Sequence, residues 1–124
     1  LFTYGPRLGL SESTALKLAS GLAGGVGLAG QTCGVVTASV IVLGLVHGPD
    51  AVDDAQGRRQ AMVEASYFVD EFEQLHGSLL CAELCTGLSM RSPEGAKAVR
   101  QSGIPEKLIR SAGELIEMVL GNTP

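Results

Sequence analysis

The fold of this chain is decided by residues 21–48, which read GLAGGVGLAGQTCGVVTASVIVLGLVHG. The segment has no charged side chain, and it concentrates glycine before Cys33 and β-branched residues after it. The part from about Thr32 to His47 predicts a buried helix that ends before Gly48 and Pro49, because proline cannot continue a helix. Three interpretations of the segment compete: a phosphate-binding loop, a membrane span and the buried wall of a thiol site.

The first two interpretations meet physical objections. Residues 25–30 read GVGLAG and match the dinucleotide-binding pattern G-x-G-x-x-G, but that site needs a strand before the glycines. The preceding letters, TALKLASGLA, have helical periodicity instead. A membrane span needs about 20 apolar residues. The uninterrupted run from Cys33 to Val46 has only 14, which is typical of a core helix. We therefore expect no membrane span.

The sequence predicts helices along most of the chain. The apolar spacing and the terminal signals place them at 11–23, at about 32–47, at about 51–76, at 78–86, at 92–102 and at 104–121. The third has an apolar stripe of Met62, Ala65, Phe68, Val69, Phe72 and Leu75. The last places Leu108, Ile109, Ala112, Leu115, Ile116 and Val119 on one face. No segment alternates convincingly with a period of two, so the prediction is an all-α bundle of five or six helices with the glycine-rich helix at its centre.

Composition limits the class of protein. A chain of 124 residues predicts a single domain over 1–124. The net charge of −4 is spread along the chain without a basic stripe, which excludes nucleic acid as an expected partner. Three cysteines are an odd number and too few for a secreted disulfide framework, so we expect a reducing, cytoplasmic location.

The cysteines are the candidate functional residues. Cys81 and Cys85 are four residues apart, so on a helix their Cβ atoms would lie about 5–6 Å apart. A relaxed disulfide needs about 3.5–4.5 Å, so this spacing favours metal ligands or separate thiols. With Ser78 as the helix cap, Cys81 would occupy the first turn, as would Cys33 in its own helix, and the helix dipole should lower both pKa values. His47 and His76 lie at predicted helix ends, where a dipole contact is favoured over metal ligation.

Two hypotheses describe what the cysteines do. In the first, Cys33, Cys81 and Cys85 form a catalytic or metal-binding thiol site, which exchanges disulfides with a redox partner of unknown identity or binds a metal ion or an iron–sulfur cluster. In the second, the chain is a structural or interaction domain with inert buried cysteines. That domain would form a homodimer through the small residues Gly30, Gly34 and Ala38, which lie four apart.

A family resemblance favours the first hypothesis. Thr32-Cys33-Gly34 after the glycine-rich turn, the segment FVDEFEQLHGSLLC ending at Cys81, and the terminal helix pattern together resemble a family of small prokaryotic proteins named C-GCAxxG-C-C. The resemblance covers roughly residues 10–120 and implies a redox-active protein whose functional cysteines correspond to Cys33 and Cys81. The family pattern has one further cysteine nearer the N-terminus and a last one near Gly103 or Ile104. This sequence has neither, and Cys85 is additional.

Overall fold

The chain forms a bundle of six α-helices in a computed structural model that describes residues 1–121. A short 3-10 turn at Gly5–Leu8 comes first, and the helices are α1 (Glu12–Ser20), α2 (Gly34–His47), α3 (Ala55–His76), α4 (Cys81–Leu84), α5 (Pro93–Ser102) and α6 (Ile104–Gly121). Within residues 1–121 the only β-type pairing is an isolated bridge between Thr32 and Leu80. The all-α prediction is confirmed. The predicted single domain reaches residue 124, and its end at 122–124 lies outside the described residues.

Short polar side chains start three of the helices. The Ser11 and Ser92 hydroxyls accept hydrogen bonds from Thr14 N–H at 3.1 Å and Gly95 N–H at 2.9 Å. Asp54 accepts one from Gly57 N–H at 2.9 Å, so Gly57 lies in the first turn of α3 rather than interrupting it. These caps satisfy N–H groups that would otherwise have no partner at the helix starts.

The core is formed where α2 packs against α3 and α6. Phe68 and Phe72 of α3 are fully buried, with ring centroids 6.0 Å apart, and they belong to one cluster with Leu43 of α2 and Leu115 of α6. The prediction that the helix after Cys33 is central is therefore confirmed. Most of the neighbouring glycines precede this helix and form a loop between α1 and α2.

Some predicted boundaries were wrong. Helix α1 ends at Ser20 instead of 23, α2 begins at Gly34 instead of Thr32, and α4 has only four residues. Ser78 does not cap α4, because its hydroxyl accepts from Leu80 N–H, two residues along, and Leu80 is the cap residue. Gly30 lies before α2, so it cannot share a helical face with Gly34 and Ala38.

Three residues of the predicted apolar stripes are exposed. Met62 and Leu75 of α3 are 62% and 61% exposed, and Ile109 of α6 is 59% exposed. Helix α2 has 14 residues and α3 has 22, so α2 cannot cover the whole length of α3. Among the residues that the structure describes, no helix combines the length and the apolarity that crossing a membrane requires.

Candidate functional site: a cavity lined by three cysteines

Two distant segments are joined by backbone hydrogen bonds next to the cysteines. Cys33 N–H donates to the Leu79 carbonyl at 2.8 Å, and Cys81 N–H donates to the Gln31 carbonyl at 2.7 Å. Ala82 N–H continues the pairing to the Gly30 carbonyl at 3.2 Å. We call this antiparallel pairing of residues 30–33 with 79–82 the clamp. Gln31 lies opposite Cys81, and Cys33 is two residues from Gln31. Because opposite residues and alternate residues of paired strands share a side, the clamp puts Cys33 and Cys81 on the same side.

A loop in an unusual backbone conformation leads into the clamp. All residues from Gly24 to Leu28 have positive φ, and Val26 and Leu28 are the non-glycine members. We call residues 24–30 the glycine loop. Gly25 has φ of +74°, and a Cβ atom there would lie 2.7 Å from the Cβ of Cys81. The absence of a side chain at Gly25 is therefore what lets Cys81 pack against the loop.

The three cysteines line one cavity of about 310 Å³. Its remaining walls come from α1, the glycine loop, the start of α2, the α4–α5 connection, α5 and the start of α6. The lining residues besides the cysteines are Ala19, Leu22, Ala23, Gly24, Gly34, Val35, Met90, Val99, Pro105 and Leu108. Apart from the thiols, none of these side chains is polar. The structure thus brings together all three predicted site residues, from two segments that lie far apart in the sequence.

Cys33 is the N-cap residue of α2, and its thiol is 7% exposed. Burial raises the pKa of this thiol, and the nearby Cys81 thiol adds to the effect. The backbone N–H groups of Val35 and Val36 act in the opposite direction without overcoming burial, and the Cys33 side chain makes no capping hydrogen bond. Cys33 is therefore a protonated, weakly reactive thiol at neutral pH.

Cys81 and Cys85 form an interacting pair of thiols. Cys81 is partly exposed, whereas Cys85 is 5% exposed. Burial, the charge of the Cys85 thiolate and a hydrogen bond with the Cys85 side chain together raise the pKa of Cys81 to about 11. Of the three thiols, the one at Cys81 is the most open to solvent, and a second thiol lies within hydrogen-bonding reach.

The prediction that helix starts lower the pKa values of Cys33 and Cys81 was wrong. Cys33 precedes α2 as its cap, and Cys81 is the first residue of a helix of only four residues, whose dipole is small. Removal of the thiols from water therefore outweighs the dipole at both positions.

The two histidines lie away from the cavity lining. His76 ends α3, with Gly77 after it in the left-handed conformation, and its Nε2 lies 2.8 Å from the Ser111 hydroxyl. Burial and then Lys107 lower the pKa of His76, whose ring also packs on Phe72 with centroids 4.5 Å apart. The Nδ1 atom of His47 lies 3.4 Å from the Gln60 side-chain amide. Neither histidine is among the residues that line the cysteine cavity.

The described side chains do not fit a metal centre. Within residues 1–121, no group of three or more His, Cys, Asp or Glu side chains is arranged to hold a metal ion. We therefore assign no metal or iron–sulfur step to this cavity, and the predicted metal role of the three cysteines stays a prediction.

Sequence reasoning missed several residues around the cysteines. Met90, Pro105 and Leu108 complete the cavity. Arg91 donates from Nε to the Leu28 carbonyl at 3.1 Å, which ties the α4–α5 connection to the glycine loop. The two residues are 63 positions apart, and no spacing or motif in the sequence relates them.

Comparison with known proteins identifies one family. The sequence model of the family described as "Putative redox-active protein (C_GCAxxG_C_C)" matches residues 1–119. No curated protein and no solved structure is significantly similar to the chain. The family match covers nearly the whole length of the chain. On this evidence the chain belongs to the C_GCAxxG_C_C family.

Proposed function

We propose that the cysteine cavity is a thiol–disulfide exchange site, with Cys81 as the attacking thiol and Cys85 as the thiol that resolves the mixed disulfide. The observation that carries the proposal is the convergence of Cys33, Cys81 and Cys85 on one apolar cavity of about 310 Å³. Membership of a family that is described as redox-active supports the same chemistry.

The roles follow from exposure and contact. Cys81 is more exposed than the other two thiols, so a substrate sulfur reaches it first. Cys85 already interacts with Cys81 through a side-chain hydrogen bond. Residues at i and i+4 of a helix have Cβ atoms about 5–6 Å apart, and a disulfide needs about 4 Å, so the two cysteines must move closer together. Because α4 is a single turn of four residues, local unwinding can supply that movement.

The exchange conserves atoms and electrons. The Cys81 thiolate attacks one sulfur of a substrate disulfide and forms a mixed disulfide, and the other substrate sulfur leaves as a thiolate that takes up a proton. The Cys85 thiolate then attacks the Cys81 sulfur and releases the second substrate thiol. Two electrons pass from the two protein thiols to the substrate, and their two protons end on the released thiols.

The proposal is tested by counting thiols in protein purified without oxygen. After reaction with bis(2-hydroxyethyl) disulfide, we expect the titratable thiols to fall from three to one, and peptide mapping to find Cys81 joined to Cys85. Cys85→Ala should stop at a mixed disulfide on Cys81. The matched control, Cys33→Ala, should still close the Cys81–Cys85 bond. A native protein that keeps all three thiols under these conditions would contradict the proposal.

The second candidate function is a structural, self-associating domain with inert thiols. It is favoured by the burial of Cys33 and Cys85 and by the raised pKa values of Cys33 and Cys81. Its expected result is three thiols that react only after denaturation, in a protein that sediments as a dimer. Elemental analysis of the same anaerobic sample tests the metal prediction, because a metal ion or an iron–sulfur cluster held by the cysteines would be found in a fixed ratio to the chain.

A further inference from the structure

Cys81 lines a second cavity besides the one that the three cysteines share. This cleft has a volume of about 270 Å³ and lies between the glycine loop and the α4–α5 connection. Its lining includes Leu28, Ala29, Cys81, Ala82, Ser89 and Arg91. Several of them are exposed, among them Ala29, Ala82 and Ser89, so the cleft opens to solvent. Cys81 therefore connects the buried cavity with a surface cleft.

Arg91 is the one charged residue in the lining of this cleft. Its side chain is exposed, and its Nε–H donates to the Leu28 carbonyl at 3.1 Å. That bond uses one of the five N–H donors of a guanidinium group. The other four donors remain for a ligand in the cleft that Arg91 lines. A planar guanidinium binds a carboxylate through two parallel hydrogen bonds.

The size of the cleft limits what it can hold. Sites for drug-sized ligands usually measure about 300–1,000 Å³, so a cleft of about 270 Å³ suits a smaller molecule. The lining has no acidic side chain that would repel an anion. A disulfide substrate placed here would have its sulfur beside Cys81 and any acidic group beside Arg91.

We infer that the cleft binds a small disulfide that carries a carboxylate, with Arg91 holding the carboxylate while Cys81 attacks the sulfur, an assignment that rests on the exchange reaction proposed above. Arg91 keeps its charge throughout, and the carboxylate is not consumed. The opposing interpretation is that Arg91 only fixes the glycine loop through Leu28. In that case its loss would affect all disulfides alike.

Two reagents of similar size separate these interpretations. They are 3,3′-dithiodipropionate, which carries two carboxylates, and bis(2-hydroxyethyl) disulfide, which is uncharged. The rate of mixed-disulfide formation at Cys81 is measured for each by mass spectrometry in the Cys85→Ala background, where the mixed disulfide accumulates, and the Arg91 and Arg100 substitutions are made in that background. Each rate is divided by the rate for the same chain unfolded in urea, because the unfolded chain has the same thiols without the cleft. The preference is the ratio of the two normalised rates.

We expect the folded protein to prefer the dicarboxylate by about tenfold, as one charge-assisted hydrogen-bond pair would supply. Arg91→Gln should remove most of that preference, whereas Arg91→Lys should retain part of it. Arg100→Gln, at an exposed arginine of α5 outside the cleft, is the matched control and should leave the preference unchanged. Added salt should weaken the preference, because it screens the charge of Arg91.

The experiment distinguishes a failure of the cleft assignment from a failure of the exchange reaction. If Cys81 reacts with both reagents and the preference is absent, or if Arg91→Gln slows both reactions by the same factor, the cleft assignment is overturned and the exchange reaction stands. If Cys81 in the folded Cys85→Ala protein forms a mixed disulfide with neither reagent, the exchange reaction itself is wrong, and the cleft assignment fails with it.

Discussion

At the scale of single residues, the chemistry of the site depends on which sulfur carries a proton. Cys81 has its pKa raised to about 11, first by burial, then by the charge of Cys85 and by the hydrogen bond with it. A thiol with a raised pKa is mostly protonated at neutral pH, and only its thiolate attacks a disulfide or an alkylating agent. The Cys81 thiol is therefore protonated at rest, and its reaction accelerates as the pH rises.

Alkylation of Cys81 by iodoacetamide should follow this raised pKa. In the wild-type protein the rate should keep rising toward about pH 11, instead of levelling near the ordinary thiol value of 9.0. Cys85→Ala should move the midpoint to lower pH, because it removes the second and third causes of the shift while burial remains. The measurement is the rate of Cys81 labelling by peptide mass spectrometry between pH 7 and 11, at pH values where circular dichroism shows intact helices.

Cys33→Ala is the control for this measurement. The Cys33 thiol is not among the groups that raise the Cys81 pKa, so the midpoint should stay where it is in the wild type. A wild-type rate that is already constant at pH 9, or a midpoint that Cys85→Ala leaves in place, would show that the two thiols do not interact as described.

At the scale of elements, the site depends on a loop and a clamp rather than on a helix. The glycine loop holds Val26 and Leu28 at positive φ, which costs about 1–2 kcal/mol for each non-glycine residue. Backbone hydrogen bonds offset part of this cost, such as Gln31 N–H to the Gly25 carbonyl at 3.0 Å. The clamp then orients Cys33 and Cys81 toward one side, and it does so for residues that precede α2 and begin α4.

Gly25→Ala should disturb this arrangement more than an ordinary glycine replacement. The new Cβ would lie 2.7 Å from the Cβ of Cys81 and 2.7 Å from the backbone N and O of Gln31, so the clamp must shift. Overpacking adds about 1–3 kcal/mol to a left-handed alanine cost of about 1–2 kcal/mol. We expect a loss of about 2–5 kcal/mol in the free energy of unfolding, measured in urea, and an altered rate of Cys81 labelling.

Gly27→Ala is the matched control in the same loop. Gly27 also has positive φ, at +58°, but a Cβ there meets no atom within 4 Å. This variant should lose only the backbone contribution, about 1–2 kcal/mol, and keep the wild-type labelling rate. Equal losses in the two variants would mean that contact between Gly25 and Cys81 does not hold the site in place.

In the molecule as a whole, the cysteine cavity borders the core that α2, α3 and α6 form. Cys33 belongs to the same buried cluster as Phe68, Phe72 and Leu43. Loss of core packing should therefore loosen the cysteine cavity as well as lower stability. The α6 side chain of Leu108 illustrates the connection, because it belongs to the core cluster and also lines the cavity.

Phe72→Ala should be among the most damaging single substitutions. Phe72 is fully buried, and truncation of a buried phenylalanine to alanine costs about 3–5 kcal/mol. That is a large part of the roughly 5–15 kcal/mol by which small domains are stable, so the urea midpoint should fall steeply. Faster alkylation of Cys33 and Cys85 should accompany it.

Leu75→Ala on the same helix is the control. Leu75 is 61% exposed although the apolar stripe of α3 includes it, so its truncation should change stability by no more than about 0.5 kcal/mol. A loss comparable to that of Phe72→Ala would indicate that Leu75 is covered in solution, for example by a second copy of the chain.

Most of the helices could be predicted from the sequence, because helix formation depends on short-range features. The Ser92 cap before Pro93, the left-handed Gly77 after His76, and the apolar spacing of α6 each act within a few residues. The same local information identified Cys33, Cys81 and Cys85 as candidate functional residues. It failed for Leu75 and Ile109, since a periodic apolar pattern does not say how far a neighbouring helix extends to cover it.

The arrangement of the thiols and their ionisation depend on long-range contacts, which the sequence does not reveal. The clamp pairs residues 30–33 with 79–82, and the Arg91 bond joins two loops 63 positions apart, through backbone groups that every residue type carries. Such contacts leave no pattern in the sequence. The pKa values of Cys33 and Cys81 were mispredicted for the same reason, because burial is set by what the rest of the chain places around a thiol, and here it outweighs the local helix dipole.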